Sequence, residues 1–233
     1  MQLVVWIFSV LIVVGFLLNA IAILMFLKNR KLLTVSDLPI LSIAIADCFL
    51  SVFVMPFGAA ANARDTWPYG SGGCTWYACL NTIVGLGTML HHTVIAVEKC
   101  LKTHRPMTAH VTHKKMLIVI ALVWGFASLW GIFPLIGWSS YGPEGTGASC
   151  SIKWQSDEFV DASFIICTFV IFFISPSVVV VASYTTIYND LQQMTEKAKR
   201  QWGKEVQQTR GIMLALKKVT FTAFILIASF FVV

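Results

Sequence analysis

The sequence predicts an all-α membrane protein, and three observations lead there. Of 233 residues, 57% are hydrophobic and 12% charged, with a mean hydropathy of +0.77; a soluble domain carries about 25% charged residues. The deficit is concentrated, because the first 27 residues and the runs 116–138 and 162–189 contain no Asp, Glu, Lys or Arg. Each run reaches the ~20 residues that a helix needs to cross a hydrocarbon core about 30 Å thick. None has the period-two alternation over ~10 residues of a barrel strand. A soluble globular protein and a β-barrel are both excluded.

Six spans follow in order, near residues 3–27, 38–61, 73–101, 116–138, 160–188 and 212–233. The first is apolar but for Ser9 and Asn19 and stops at Lys28. It exceeds the 7–15-residue apolar core of a signal peptide and has no matching cleavage site. The second carries Asp47 in Leu41-Ser42-Ile43-Ala44-Ile45-Ala46-Asp47, and the third closes with Glu98-Lys99-Cys100. The fourth holds Trp124 and, near its end, Pro134; the fifth is interrupted by Pro176, with Tyr184 eight residues on. The sixth enters at Lys218, and the fifteen residues to Val233 reach only about 22 Å, short of the ~30 Å core. The expectation is a fragment of a longer chain, cut within the sixth helix.

Charge reports the topology. Of the 17 Lys and Arg residues, 15 fall in or beside the segments after spans one, three and five, and only Arg64 and Lys153 fall on the other side. The positive-inside rule puts the rich side in the cytoplasm and the amino terminus outside. The net charge of +6 is thus a topology signal that also suits anionic lipid. No basic domain stands clear of the membrane to bind nucleic acid. Ionisable and polar groups inside spans are functional candidates, here Asp47 and Asn19; the alternative for both is hydrogen-bond glue between helices.

Taken together, Asn19, the Leu-x5-Asp47 run, Trp67, Cys74, Glu98-Lys99-Cys100, Pro106-Met107, Trp124, Pro176, Tyr184 and Lys217-Lys218-Val219-Thr220 stand in an order and spacing that resembles the rhodopsin-like G-protein-coupled receptors. That resemblance covers essentially the whole chain. It implies a seven-transmembrane bundle of which about six helices are present, as one domain over 1–233, in the plasma membrane. The second outer loop, with Tyr141-Gly142-Pro143-Glu144-Gly145 ahead of Cys150, and Arg105-Pro106-Met107, resemble the opsins, nearer the non-visual neuropsin-like or peropsin-like pigments.

The opsin resemblance implies retinal, bound covalently through a lysine of helix seven that lies beyond Val233, and a light-sensitive receptor that is not an enzyme. It implies a disulfide between Cys74 and Cys150, the two cysteines at the oxidising outer face. A buried cationic retinal linkage needs an acid. The helix-three position that carries one in vertebrate visual pigments is Tyr77 here, which leaves Glu144; the alternative for Glu144 is a solvated loop acid. The pocket would be lined by Thr82, Gly85 and Leu86, by Phe169, Phe172 and Phe173, and by Tyr141, Ser149, Ile152 and Trp154 from the loop, with Tyr77 adding a hydrogen bond. Asn19, Asp47, Glu98, Lys99, Pro176 and Tyr184 match the family's signalling switch.

One departure bears on the partner. The family has Arg where this chain has Lys99, and Lys keeps the charge without the planar fork. A heterotrimeric G protein is the expected partner, with coupling weakened. A retinal photoisomerase that does not signal is the second reading. A receptor for a diffusible amine would want Asp at Asn81. A channel or transporter has no filter or broken-helix pair to support it. His91-His92 faces two sides of a helix and is not an i, i+4 metal pair.

Overall fold

The computed structural model describes residues 2–30, 33–104, 111–145 and 147–202, together with Gly211, Leu214 and Lys218. Five long helices are present among them: α1 (Gln2–Lys28), α2 (Asp37–Arg64), α3 (Gly70–His104), α4 (His113–Leu135) and α5 (Phe159–Gln201). All five are long and apolar enough to cross a membrane. They overlap the first five spans read from the sequence, but the fourth helix ends at Leu135 rather than 138, and the fifth runs on to Gln201 rather than stopping at 188. The sixth span, the Arg105-Pro106-Met107 motif and Thr146 lie outside the described residues, apart from Leu214 and Lys218.

Each helix has a local cause. Lipid offers no partner for backbone groups, so a charge-free run satisfies its own amides by winding. At the start of α2, Asp37 Oδ2 accepts from the Thr34 amide (2.8 Å) and hydroxyl (2.7 Å). Thr112 precedes α4, and its Oγ1 accepts from the Lys115 amide, a side-chain cap. α2 and α5 each contain one wide π turn, at Leu50–Val54 and Val170–Ile174. Pro56 and Pro176 follow two residues later. A proline cannot donate and its ring crowds the carbonyl four residues back. Those carbonyls, of Val52 and Phe172, lie within the wide turns, where the Met55 and Ser175 amides bond Leu50 and Val170, five residues back.

α3 is the axis of the bundle. Its 35 residues extend about 52 Å, and it packs against α2, α4 and α5. Its buried positions include Cys74, Tyr77, Val84, Gly87, His91, Ile95 and Glu98, recurring mostly at the three- and four-residue steps of one helical face. Packing and hydrogen bonds hold such helices together, since lipid tails are as apolar as leucine. Trp124 of α4 lies against Gly87, where a Cβ would collide with the indole ring, and its Nε1 donates to Ser42 Oγ of α2 at 2.8 Å. By contrast α1 has none of its span buried and packs on α2.

Between α4 and α5 lies a small antiparallel hairpin, β1 (Tyr141–Pro143) and β2 (Cys150–Ile152), with Tyr141 opposite Ile152 and Pro143 opposite Cys150. Gly137 (φ 103°) and Ser139 (φ 75°) turn the chain into it; a glycine adopts such a conformation without a Cβ clash.

Candidate functional site

The hairpin forms a lid on one end of the bundle. A disulfide joins Cys74 in the first turns of α3 to Cys150 in β2, with the Cα atoms 5.3 Å apart. Both strands pack on α3. The Tyr141 hydroxyl donates to the Gly131 carbonyl of α4 at 2.8 Å, tying the lid to a second helix. Burial pushes the Tyr141 phenol above its ordinary ionisation range, so it keeps its proton and remains a donor. At the hairpin turn the Glu144 amide donates to the Ser149 carbonyl at 2.9 Å. The Glu144 side chain is exposed and lines a cavity of about 530 Å³ with Lys153 and Trp154. Trp154 is 58% exposed.

Below the lid, α3 presents Tyr77, Thr82, Gly85 and Leu86. Tyr77 is buried against Val54, Cys74 and Cys150, meets the Trp67 ring at a tilt with centroids 5.0 Å apart, and has Glu144, Ser149 and Asn81 around its phenol. The Thr82 hydroxyl donates to its own helix at Ala78 (2.8 Å). Gly85 faces open space, with nothing within 4 Å of where a Cβ would stand. Leu86 joins Tyr141, Ile152 and Phe172 around a buried cluster that also contains Trp130 and Phe164.

Of the three phenylalanines of α5, Phe172 stands apart from the other two. Phe172 is fully buried and faces α4, stacked on Phe126 (5.4 Å) and edge-on to Trp130 (5.3 Å). Phe169 is half exposed and stacks on Phe173 at 4.9 Å, and Phe173 packs toward Tyr184 and Ala96 farther down. Sequence reasoning missed Trp130, Phe164 and Trp138. The signal for the two tryptophans was an indole in a span, whose N–H needs a partner: Trp130 Nε1 donates to Thr168 Oγ1 at 2.7 Å and Trp138 Nε1 to Ser163 Oγ at 3.0 Å; Phe164 carried no such signal.

At the opposite end of α3, Glu98 is buried. It accepts from Ser36 Oγ on both carboxylate oxygens (2.9 and 2.8 Å) and pairs with Lys102 at 2.5 Å. The Lys102 ammonium also donates to Ser36 Oγ at 2.7 Å. Lys99 is half-buried and has no ion-pair partner among the described residues. Tyr184 is buried, and its hydroxyl has no hydrogen-bond partner among the described residues. Asn19 donates to Gly15 of its own helix at 2.9 Å, while Asp47 is half-buried in α2. His91 Nδ1 and His92 Nδ1 each bond the carbonyl four residues back, and no metal-holding cluster occurs among the described residues.

The family model described as "7 transmembrane receptor (rhodopsin family)" matches residues 18–233. The chain belongs to the rhodopsin family of seven-transmembrane receptors. Within that family it is similar to melanopsin of Rutilus rutilus, at 29% identity over 198 residues, covering 84% of this chain and 38% of that protein. It is equally similar to the visual pigment-like receptor peropsin of Homo sapiens, at 29% over 198 residues, covering 82% of this chain and 59% of that protein. The crystal structure of squid rhodopsin superposes with a TM-score of 0.79 at 25% identity, covering 94% of this chain and 61% of that one. These relatives are opsins, and the fold of this rhodopsin-family chain is theirs. The chain spans about 38% to 59% of the length of these curated relatives.

Proposed function

We propose that this chain is part of a retinal-binding, light-sensitive G-protein-coupled receptor of the opsin type, in the plasma membrane with its amino terminus outside. The observation that carries the reading is the Tyr141-Gly142-Pro143-Glu144-Gly145 lid, pinned by Cys74–Cys150 over the open space at Gly85. The residues present fit an elongated apolar group: Gly85 leaves room, Leu86 and Ile152 supply apolar walls, and Glu144 is the acid beside Tyr77. When bound through a lysine beyond Val233, retinal supplies a photoisomerisable polyene with a cationic linkage. The protein's part is to exclude water beneath the lid, leave room at Gly85 and hold a carboxylate at the rim. The lysine-rich end, with Lys99 and Tyr184, is the docking face for a heterotrimeric G protein.

The test is the absorption spectrum of the full-length protein reconstituted with cis or trans retinal, before and after illumination. A retinal-dependent band that light shifts or removes is the expected result. Absence of such a band with either isomer would overturn the reading.

A second reading is a retinal photoisomerase that does not signal. It is favoured by Lys99 standing where the family has Arg and by Glu98 being engaged by Lys102 and Ser36. Light-driven nucleotide exchange by native and Lys99→Arg protein separates the two. Exchange by the native protein supports the receptor. Exchange only after restoring the fork supports the isomerase.

A further inference from the structure

Between α3 and α4, toward the lysine-rich end, runs an apolar groove of about 300 Å³. Leu90, Val94 and Leu101 form one wall and Met116, Val119 and Val123 the other. From Leu90 to Leu101 is eleven residues, about 16 Å along the helix. That is about half of the ~30 Å hydrocarbon core, the depth of one leaflet. Lys115 lies one helical turn before Val119 on the same face of α4 and is exposed. On the α3 side Lys102 is 44% exposed. Glu98 also borders the groove, but its charge is already met by Lys102 and Ser36.

We infer that this groove holds an acyl chain of an anionic phospholipid from the leaflet that meets the lysine-rich end, with the headgroup phosphate between Lys102 and Lys115. An apolar channel one leaflet deep takes the chain. Lys102 and Lys115 against the single carboxylate of Glu98 leave the mouth net positive, which favours an anionic headgroup over a zwitterionic one. A sterol would use the apolar wall and leave Lys115 without a counterpart among the described residues.

The experiment reconstitutes the full-length protein in phosphatidylcholine vesicles containing a trace of phosphatidylserine or phosphatidylcholine, each bearing the same photoactivatable acyl chain. Cross-linked peptides are mapped after illumination. The serine lipid is expected to label the α3 and α4 segments that line the groove several-fold more than the choline lipid, while α1 is labelled equally by both. Lys115→Gln should lower the serine-lipid labelling of the groove roughly fivefold, and Lys115→Arg should retain it. Val119→Trp should remove groove labelling by both lipids and leave α1 labelling unchanged; intact Cys74–Cys150 linkage reports the fold of each variant. Equal groove labelling by the two lipids, or labelling that survives Val119→Trp, would overturn the proposal. So would displacement of the label by cholesterol and not by unlabelled phosphatidylserine.

Discussion

Glu98 and Lys102 sit one turn apart on α3 and form an ion pair at 2.5 Å, which Ser36 closes into a triangle by hydrogen-bonding both. The carboxylate is 3% exposed and the ammonium 44%. The triangle therefore fastens the segment before α2 to the end of α3 through one buried charge.

Ser36→Ala should weaken the fold by about 1–3 kcal/mol, since a buried carboxylate loses the one hydroxyl donor its two oxygens share. Lys102→Met should cost a similar amount, less than for a fully buried pair because water reaches the lysine. The double variant should cost less than the sum, as the three groups share one network. Thermal unfolding in detergent measures all three. An unchanged midpoint for Ser36→Ala would show the contact to be idle.

Gly85 and Gly87 should respond oppositely to alanine. At Gly87 the new methyl meets the Trp124 ring, and overpacking of this kind costs about 1–3 kcal/mol. At Gly85 it meets nothing, and alanine gains up to about 1 kcal/mol of helix propensity. Gly85→Ala should therefore raise the unfolding temperature of the retinal-free protein while lowering retinal uptake. Unimpaired uptake would mean that the open space is not the ligand's.

Glu144→Gln should move the loss of visible absorption to lower pH. A nearby carboxylate stabilises a cation and raises its pKa; the amide cannot, so the cation gives up its proton earlier as pH rises. A pH titration of the retinal-loaded spectrum reads this directly. An unchanged midpoint would put the counter-charge on another residue.

Tyr141 should ionise after the exposed tyrosines in an alkaline titration, because burial holds its phenol above the ordinary value of 10.0. The folded state keeps this proton more tightly than the unfolded chain. The resulting stabilisation is intact below pH 10.0 and fades as pH rises further. Tyr141→Phe should delete the late component and cost about 1 kcal/mol through the lost bond to Gly131. An unaltered titration curve in that variant would refute the assignment.

The helices were legible because a charge-free run in lipid has few options. The span read as ending at residue 188 belongs to a helix that continues to Gln201, because apolarity marks where lipid stops and not where winding stops. The lid was legible from a motif, with Glu144 and Cys150 at fixed spacing. Lys102, four residues from Glu98, was available from helical spacing alone; Ser36, 62 residues earlier, was not, since no local rule brings the start of α2 to the end of α3. The division of Phe172 from the stacked pair Phe169 and Phe173 depends on how α5 is rotated against α4, which a single-helix pattern does not contain.

The two wide turns before Pro56 and Pro176 each lodge one more residue than regular winding would use. One residue is about 100° of rotation, so the stretch beyond each turn is swung round by that angle relative to an uninterrupted helix. A helical wheel drawn through Leu50–Val54 or Val170–Ile174 assigns the two ends of the helix to inconsistent faces. Excising one residue inside either turn would leave both ends aimed as they are now. At these two places chain length and side-chain direction are decoupled, and relatives can differ by a residue there without turning their pockets.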